Sequence, residues 1–234
     1  MSMRVLPGMS GFAYKEWKGL FYPEDVAHGD MLGYYATQFP VVEINSTFYR
    51  MPSEKVLLDW AGQVPEGFSF CIKGSRRITH NNRLQDVQSL VEYLLQTVSV
   101  LGGKRGPLLF QIPPTFKKDL PRLEAFLQLM PRNLRVALEC RHTSWFDEEV
   151  SALLRTRSVA LVVAEQEDWL TPIIPTAPWG YLRLHRPGYT DDALRTWLEQ
   201  IRAQPWTEAY VFFQHEEEIA GPEIGVRFRD LAGA

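Results

Sequence analysis

Cysteine is scarce: Cys71 and Cys140 are the only two among 234 residues, and they form no C-x-x-C pair. So thin a supply argues against a disulfide framework or a thiolate zinc site, and each Cys reads as a small buried hydrophobe. No apolar run approaches the roughly 18 residues that a membrane span needs, and no signal-peptide core opens the chain. A cytoplasmic protein without a membrane partner is the expectation. Charge of one sign is also lacking, with a formal net charge of −3 and a pI near 6.0. A surface given over to nucleic acid or anionic lipid is thereby disfavoured, although a local basic pocket stays open. No linker, low-complexity tract or long charge run interrupts residues 1–234, which read as one domain.

What is present is repetition. Short apolar runs recur at Arg4–Gly8, Val41–Asn45, Phe68–Lys73, Pro107–Ile112, Arg135–Cys140, Val159–Ala164, Trp179–Leu184 and Ala209–Gln214. Nearly all end on a polar or charged residue. Helical spacing fills most gaps. Val87, Leu90, Val91, Leu94, Leu95, Val98 and Leu101 form one stripe over Asp86–Leu101, closed by Gly102 and Gly103. A second helix is predicted over Asp191–Ala203 behind Thr190 as N-cap. Shorter ones are predicted at Asp30–Gln38, Glu54–Gln63, Leu120–Met130, Asp147–Arg157 and Glu223–Leu231. Eight strands alternating with helices predict an α/β fold, a single (β/α)8 TIM-type barrel with its site at the C-terminal ends of the strands. One connection is irregular: Pro172, Pro175 and Pro178 between the sixth and seventh strands exclude a regular helix and predict a loop.

Side chains alternate along a strand, so parity separates two faces. Val42, Ile44, Phe70, Ile72, Leu138, Cys140, Leu182 and Leu184 form the apolar, helix-facing set. The opposite set is Glu43, Asn45, Lys73, Glu139, Arg141, Arg183 and His185, with Gln111 and Gln214 as polar rim residues. Ionised groups held inside a sheet require partners, water or a ligand. Two carboxylates face three cations on the strands, and Arg76, Arg77 and Arg186 follow on loops. A net positive cup for a small phosphate- or carboxylate-bearing ligand is therefore predicted. The bland alternative is a buried plug in which Glu43 and Glu139 pair with Arg183 and Lys73 to fix strand register.

Several chemistries compete for these residues. Glu43 and Glu139 resemble the carboxylate pair of sugar-bond hydrolysis, but flanking arginines would lower their pKa values, which suits a base or nucleophile better than an acid. Glu43, Glu139, His142, His185 and His215 supply metal-ligand types, against which Lys73, Arg141 and Arg183 would repel a cation; no metal is assigned. His185 is the preferred acid–base group, with Glu43 or Glu139. Lys73 reads as an anion contact, or else as a Schiff-base amine if burial and neighbouring cations depress its pKa. Gly8, Ser10 and Gly11 could offer backbone N–H groups to an anion. Tyr14, Trp17, Phe48, Tyr49, Trp145 and Tyr189 fall on rim loops as a packed lid or as stacking faces, and His80 and Asn81 follow the third strand.

These stretches also resemble a known family. Gly8 to Tyr14 with Trp17, Val42 to Arg50, Lys73 through His80, Leu109 to Pro114, Glu139 to Phe146 and Tyr181 to His185 are similar, in order, to the DUF72 (YecE-like) proteins. The resemblance implies a TIM-type barrel of unsettled function and supplies no reaction. Two departures stand out: Arg186 where the family usually carries glycine, and Phe213-Gln214-His215 before Glu216, Glu217 and Glu218 where it tends to carry two asparagines. No motif implies a cofactor, and nothing sets the oligomeric state. The functional expectations are an acid–base enzyme (hydrolase, lyase or isomerase) on a small anionic substrate, with Lys73, Arg76, Arg141, Arg183, Asn45, Tyr14, His80, Gln111 and Gln214 binding it. The alternatives are a protein that processes phosphodiesters or nucleic-acid ends and a non-catalytic binding module with a structural charge network.

Overall fold

Ten strands form one curled sheet, and helices cover its outer face. The computed structural model describes residues 3–214 and 221–233. The strands are β1 (Arg4–Met9), β2 (Val41–Ile44), β3 (Ser69–Lys73), β4 (Arg105–Gln111), β5 (Val136–Glu139), β6 (Ala160–Leu161), β7 (Val163–Gln166), β8 (Trp169–Leu170), β9 (Trp179–Leu184) and β10 (Glu208–Phe213). The helices are α1 (Met31–Gln38), α2 (Glu54–Gln63), α3 (Gln88–Ser99), α4 (Leu120–Gln128), α5 (Glu148–Thr156), α6 (Asp191–Arg202) and α7 (Gly221–Ala232). The order across the sheet is β6-β5-β4-β3-β2-β1-β10-β9-β7-β8, parallel at every pairing except β7–β8.

The departure from a regular eight-strand pattern lies in the sixth apolar run. It breaks at Val162: β6 pairs with β5, whereas β7 turns to β9. The proline-rich connection is a loop, as its composition predicts, but it first adds β8 as a hairpin on β7. Two of its threonines then stand in for missing ladder bonds. Thr171 Oγ1 accepts from Ala164 N at 2.8 Å, and Thr176 Oγ1 accepts from Leu161 N at 2.8 Å. A buried strand leaving its neighbour would otherwise strand these backbone donors.

Local chemistry sets the helix ends. Thr190 caps α6 through Ala193 N at 3.2 Å, and Asp147 caps α5 through Val150 N at 3.0 Å. The helix predicted from Asp86 starts only at Gln88, because Asp86 has φ +53°, a left-handed value no helix interior accepts. At β1 the backbones run so close that a Cβ on Gly8 would lie 2.3 Å from the Val41 carbonyl oxygen. Glycine is therefore required there.

Strand parity separates two cores. Val42, Ile44, Phe70, Ile72, Leu138, Cys140, Leu182 and Leu184 pack toward the helices. Leu6, Val41, Cys71, Leu109, Ala137, Ala160, Val162, Ala164, Tyr181, Tyr210 and Phe212 fill the inside of the curl. Both cysteines are free and buried, one in each core. The inner apolar layer ends below the C-terminal ends of the strands, and the charged residues begin there.

Candidate functional site

At the centre of the cup is one guanidinium between two carboxylates. Arg183 on β9 stands opposite Ala164 and Phe212, and the small Ala164 leaves its side chain room to run inward. Its NH1 donates to Glu139 Oε2 at 2.6 Å, and its NH2 and Nε donate to Glu43 Oε1 at 3.0 and 3.2 Å. Both glutamates are 0% exposed. Further donors join Arg183 on each of them. Glu43 accepts from Ser10 Oγ at 2.8 Å, Asn45 Nδ2 at 3.0 Å and the Tyr181 hydroxyl at 2.7 Å. Glu139 accepts from Gln111 Nε2 and from Arg141 Nε, each at 2.8 Å, and Gln111 is its direct neighbour in the β4–β5 register.

The electrostatics follow from this wiring. Burial by itself would raise both carboxyl pKa values. Arg183, aided by His185 and Lys73 at Glu43 and by Arg141 at Glu139, outweighs burial and holds both below the usual range. The two acids are ionised and satisfied, and together they anchor Arg183.

Above this layer a cavity of about 490 Å³ opens to solvent. Ser10, Asn45, Lys73, Gln111, Arg141 and Arg183 form its floor, and Tyr14, Phe48, Tyr49, Arg76 and His80 stand around it with Gln166 and Gln214. All nine residues expected to contact a ligand therefore meet here. Gln166 was not among them: the apolar run ends at Ala164, but continuing the inward parity of Val162 and Ala164 by one step reaches it.

Lys73 holds an unusual position. It is 9% exposed, and among the described residues its Nζ has neither an ion pair nor a hydrogen bond. Beneath Nζ lies the Phe48 ring, with its centroid 4.5 Å away. Burial and then the neighbouring Arg183 lower its pKa to about 8. Among the described residues Arg76 likewise has no hydrogen-bond or ion-pair partner, and the terminal nitrogens of Arg141 have none either. His80 is set by a π turn over Arg77–Asn81, after which Arg83, Leu84 and Asp86 all take positive φ. A π turn and three left-handed side-chain-bearing residues in one loop are the kind of backbone strain that clusters at functional sites. His80 packs edge-on against the same Phe48 ring at 5.0 Å, and burial and then Lys73 lower its pKa.

His185 sits beside the cup, with Nε2 3.4 Å from Ser10 Oγ. The Ser10 proton is committed to Glu43, so the imidazole must be the donor in that contact, which makes a chain His185–Ser10–Glu43. Burial, and after it Arg183, pushes the His185 pKa down to about 3. The sign is simple. An unfolded histidine takes a proton near pH 6.5, whereas the folded one resists it until about pH 3, so stability is lost as pH falls through that window. Urea titrations at pH 4, 5, 6 and 7 should show this slope, and His185→Asn should flatten it. An unchanged slope would mean that His185 is not the group responsible.

Other sequence candidates fall elsewhere. His142 Nδ1 accepts from Ser144 N at 3.1 Å and caps a short turn. Trp17, Trp145 and Tyr189 are buried packing residues. Arg77 is absent from the cavity wall, and Arg186 turns to Glu165 at 3.6 Å. His215 and Glu216 to Glu218 lie outside the described residues. Among the described residues no three His, Cys, Asp or Glu side chains gather as a metal site requires, and no helix is long and apolar enough to cross a membrane.

Comparison with known proteins agrees with the fold. A family profile described as "Protein of unknown function DUF72" matches residues 6–234. UPF0759 protein YecE of Escherichia coli (strain K12) is 35% identical over 113 residues, 48% of this chain and 42% of that protein. UPF0759 protein YunF of Bacillus subtilis (strain 168) is 28% identical over 133 residues, 53% of this chain and 47% of that one. These alignments span less than half the length of the curated relatives they match. A crystal structure of a DUF72 family protein from Thermotoga maritima superposes with a TM-score of 0.85 at 26% identity, covering 99% of this chain and 100% of that one. Another from Enterococcus faecalis V583 gives 0.82 at 19% identity, covering 98% and 96%, a likeness of fold alone.

Proposed function

This chain belongs to the DUF72 family, which brings no reaction with it, and from that premise we propose that it binds a small molecule bearing a phosphate or carboxylate in the central cup. The proposal includes the architecture. Counting Ala160–Gln166 as one bent strand makes eight parallel strands of the (β/α)8 type, and the cup then lies at their C-terminal ends, where such barrels hold their ligands.

One observation carries the reading: among the described residues the cup has more cations than its carboxylates neutralise. Arg183 is consumed by Glu43 and Glu139, which leaves Lys73, Arg76 and the outer face of Arg141 without a counter-ion among the described residues. Like charges held together in a partly desolvated pocket are unfavourable unless a ligand of opposite sign completes them. Within this reading Glu43 and Glu139 position Arg183 and Arg141, and His185, held neutral at ordinary pH, braces Ser10 from beside the cup. A second reading, a phosphodiester or nucleic-acid end, draws on Tyr49, which is 74% exposed at the rim and offers a stacking face. A steep salt dependence of oligonucleotide binding would select it.

Isothermal titration with inorganic phosphate tests the anion site. Binding is expected, and Arg76→Gln, which removes no hydrogen bond to a described residue, should weaken it about tenfold. The absence of both heat and thermal stabilisation at millimolar phosphate would overturn the reading.

A further inference from the structure

We propose that Lys73 is an amine nucleophile that forms an imine with a carbonyl compound carrying a phosphate or carboxylate. This rests on the anion-binding reading of the cup and adds a chemical step to it. Three features of the geometry support the assignment. Lys73 lines the cavity, nine-tenths buried, and no acceptor among the described residues holds its Nζ. The carboxylates of Glu43 on β2 and Glu139 on β5 are paired with Arg183 and Arg141, and neither forms an ion pair with Lys73. The aromatic face of Phe48 lies beneath it, and Arg76 and Arg141 line the same cavity.

The groups facing Nζ determine its charge. Burial opposes protonation most and Arg183 next, Glu43 and Glu139 favour it, and Arg141 beyond β5 opposes it least, with a net shift toward the free amine. Arg76 and His80 enter the same cavity from the turn after β3. In the reaction the Nζ lone pair attacks the carbonyl carbon, a C–N bond forms, and the C=O π bond opens. One proton passes from nitrogen to oxygen to give a carbinolamine. The C–O bond then breaks, the hydroxyl takes a proton and leaves as water, and a protonated imine remains. His80, against the same Phe48 ring, is placed to carry that proton. The cation so formed can draw electrons from the adjacent carbon, the step common to imine-forming lyases and isomerases.

Hydride trapping tests this directly. The full chain is incubated separately with pyruvate, glyoxylate and dihydroxyacetone phosphate in the presence of cyanoborohydride, and adducts are mapped by peptide mass spectrometry. The expected result is a single stable adduct at Lys73 with at least one compound, suppressed by excess inorganic phosphate. Its formation rate should rise with pH to half its maximum near pH 8. Lys73→Arg should abolish the adduct while phosphate still binds by titration. Adducts only at other lysines, or none in the wild type, would overturn the proposal; phosphate binding that persists in that case would leave the anion site intact. Because the map is read on the wild type, poor folding of the variant would not obscure the answer.

Discussion

Arg183→Met should destabilise the protein by about 3–5 kcal/mol, because it leaves two ionised carboxylates buried together without their shared cation. Glu43 and Glu139 are 0% exposed, and Arg183 supplies a charge-assisted bond to each. The pH dependence separates this cause from simple loss of packing. Carboxyls held below their unfolded value, roughly 4.3, contribute stability that is present above that pH and disappears as pH falls through the folded value. The deficit of the variant should accordingly be largest near neutrality and shrink below about pH 4. Combining Arg183→Met with Glu43→Gln and Glu139→Gln should recover much of the loss, since neutral amides keep several hydrogen bonds without unpaired charge. Chemical denaturation at pH 7 and pH 4 checks both statements. A single variant as stable as the wild type would show that Lys73 moves in to replace the guanidinium, and the brace would then be interchangeable.

Lys73→Met should act in the opposite direction. A lysine whose pKa falls to about 8 on folding resists the proton that the unfolded chain binds until about pH 10.4, so its charge opposes folding at neutral pH. Removing it should raise stability by about 2 kcal/mol at pH 7, an effect that disappears by about pH 10.5. The same change should weaken phosphate binding by about tenfold or more. A residue that costs stability and supplies affinity marks a functional position, whereas a member of a structural plug would cost stability when removed. Thermal melts at pH 7 and 10.5, paired with phosphate titration, decide between the two. Destabilisation by Lys73→Met would assign Lys73 to the brace together with Arg183.

This split would decide the choice left by the residues alone, a plug or a pocket. The network is layered. Glu43, Glu139 and Arg183 form the plug, and Lys73, Arg76 and Arg141 line a pocket built on it. Sequence pattern could not separate the layers, since Lys73 and Arg183 have the same inward parity and the same charge. Distances separate them: Arg183 NH1 is 2.6 Å from Glu139, while Lys73 pairs with neither acid.

The division between sequence and tertiary structure has a physical basis. Period-2 alternation and helical spacing are local properties, so the strands, the helices, the two faces and the inward set of Glu43, Lys73, Glu139 and Arg183 were all legible in the residues. The break at Val162, the β7–β8 hairpin, and the ladder bonds supplied by Thr171 and Thr176 depend on which strand lies alongside, and only the assembled sheet decides that. The same holds for charge. A side chain's direction follows from its own strand, but whether it finds a partner depends on strands up to 140 positions away in the chain. Sequence therefore determined which groups enter the cup, and the fold decided which are satisfied and which have no partner among the described residues.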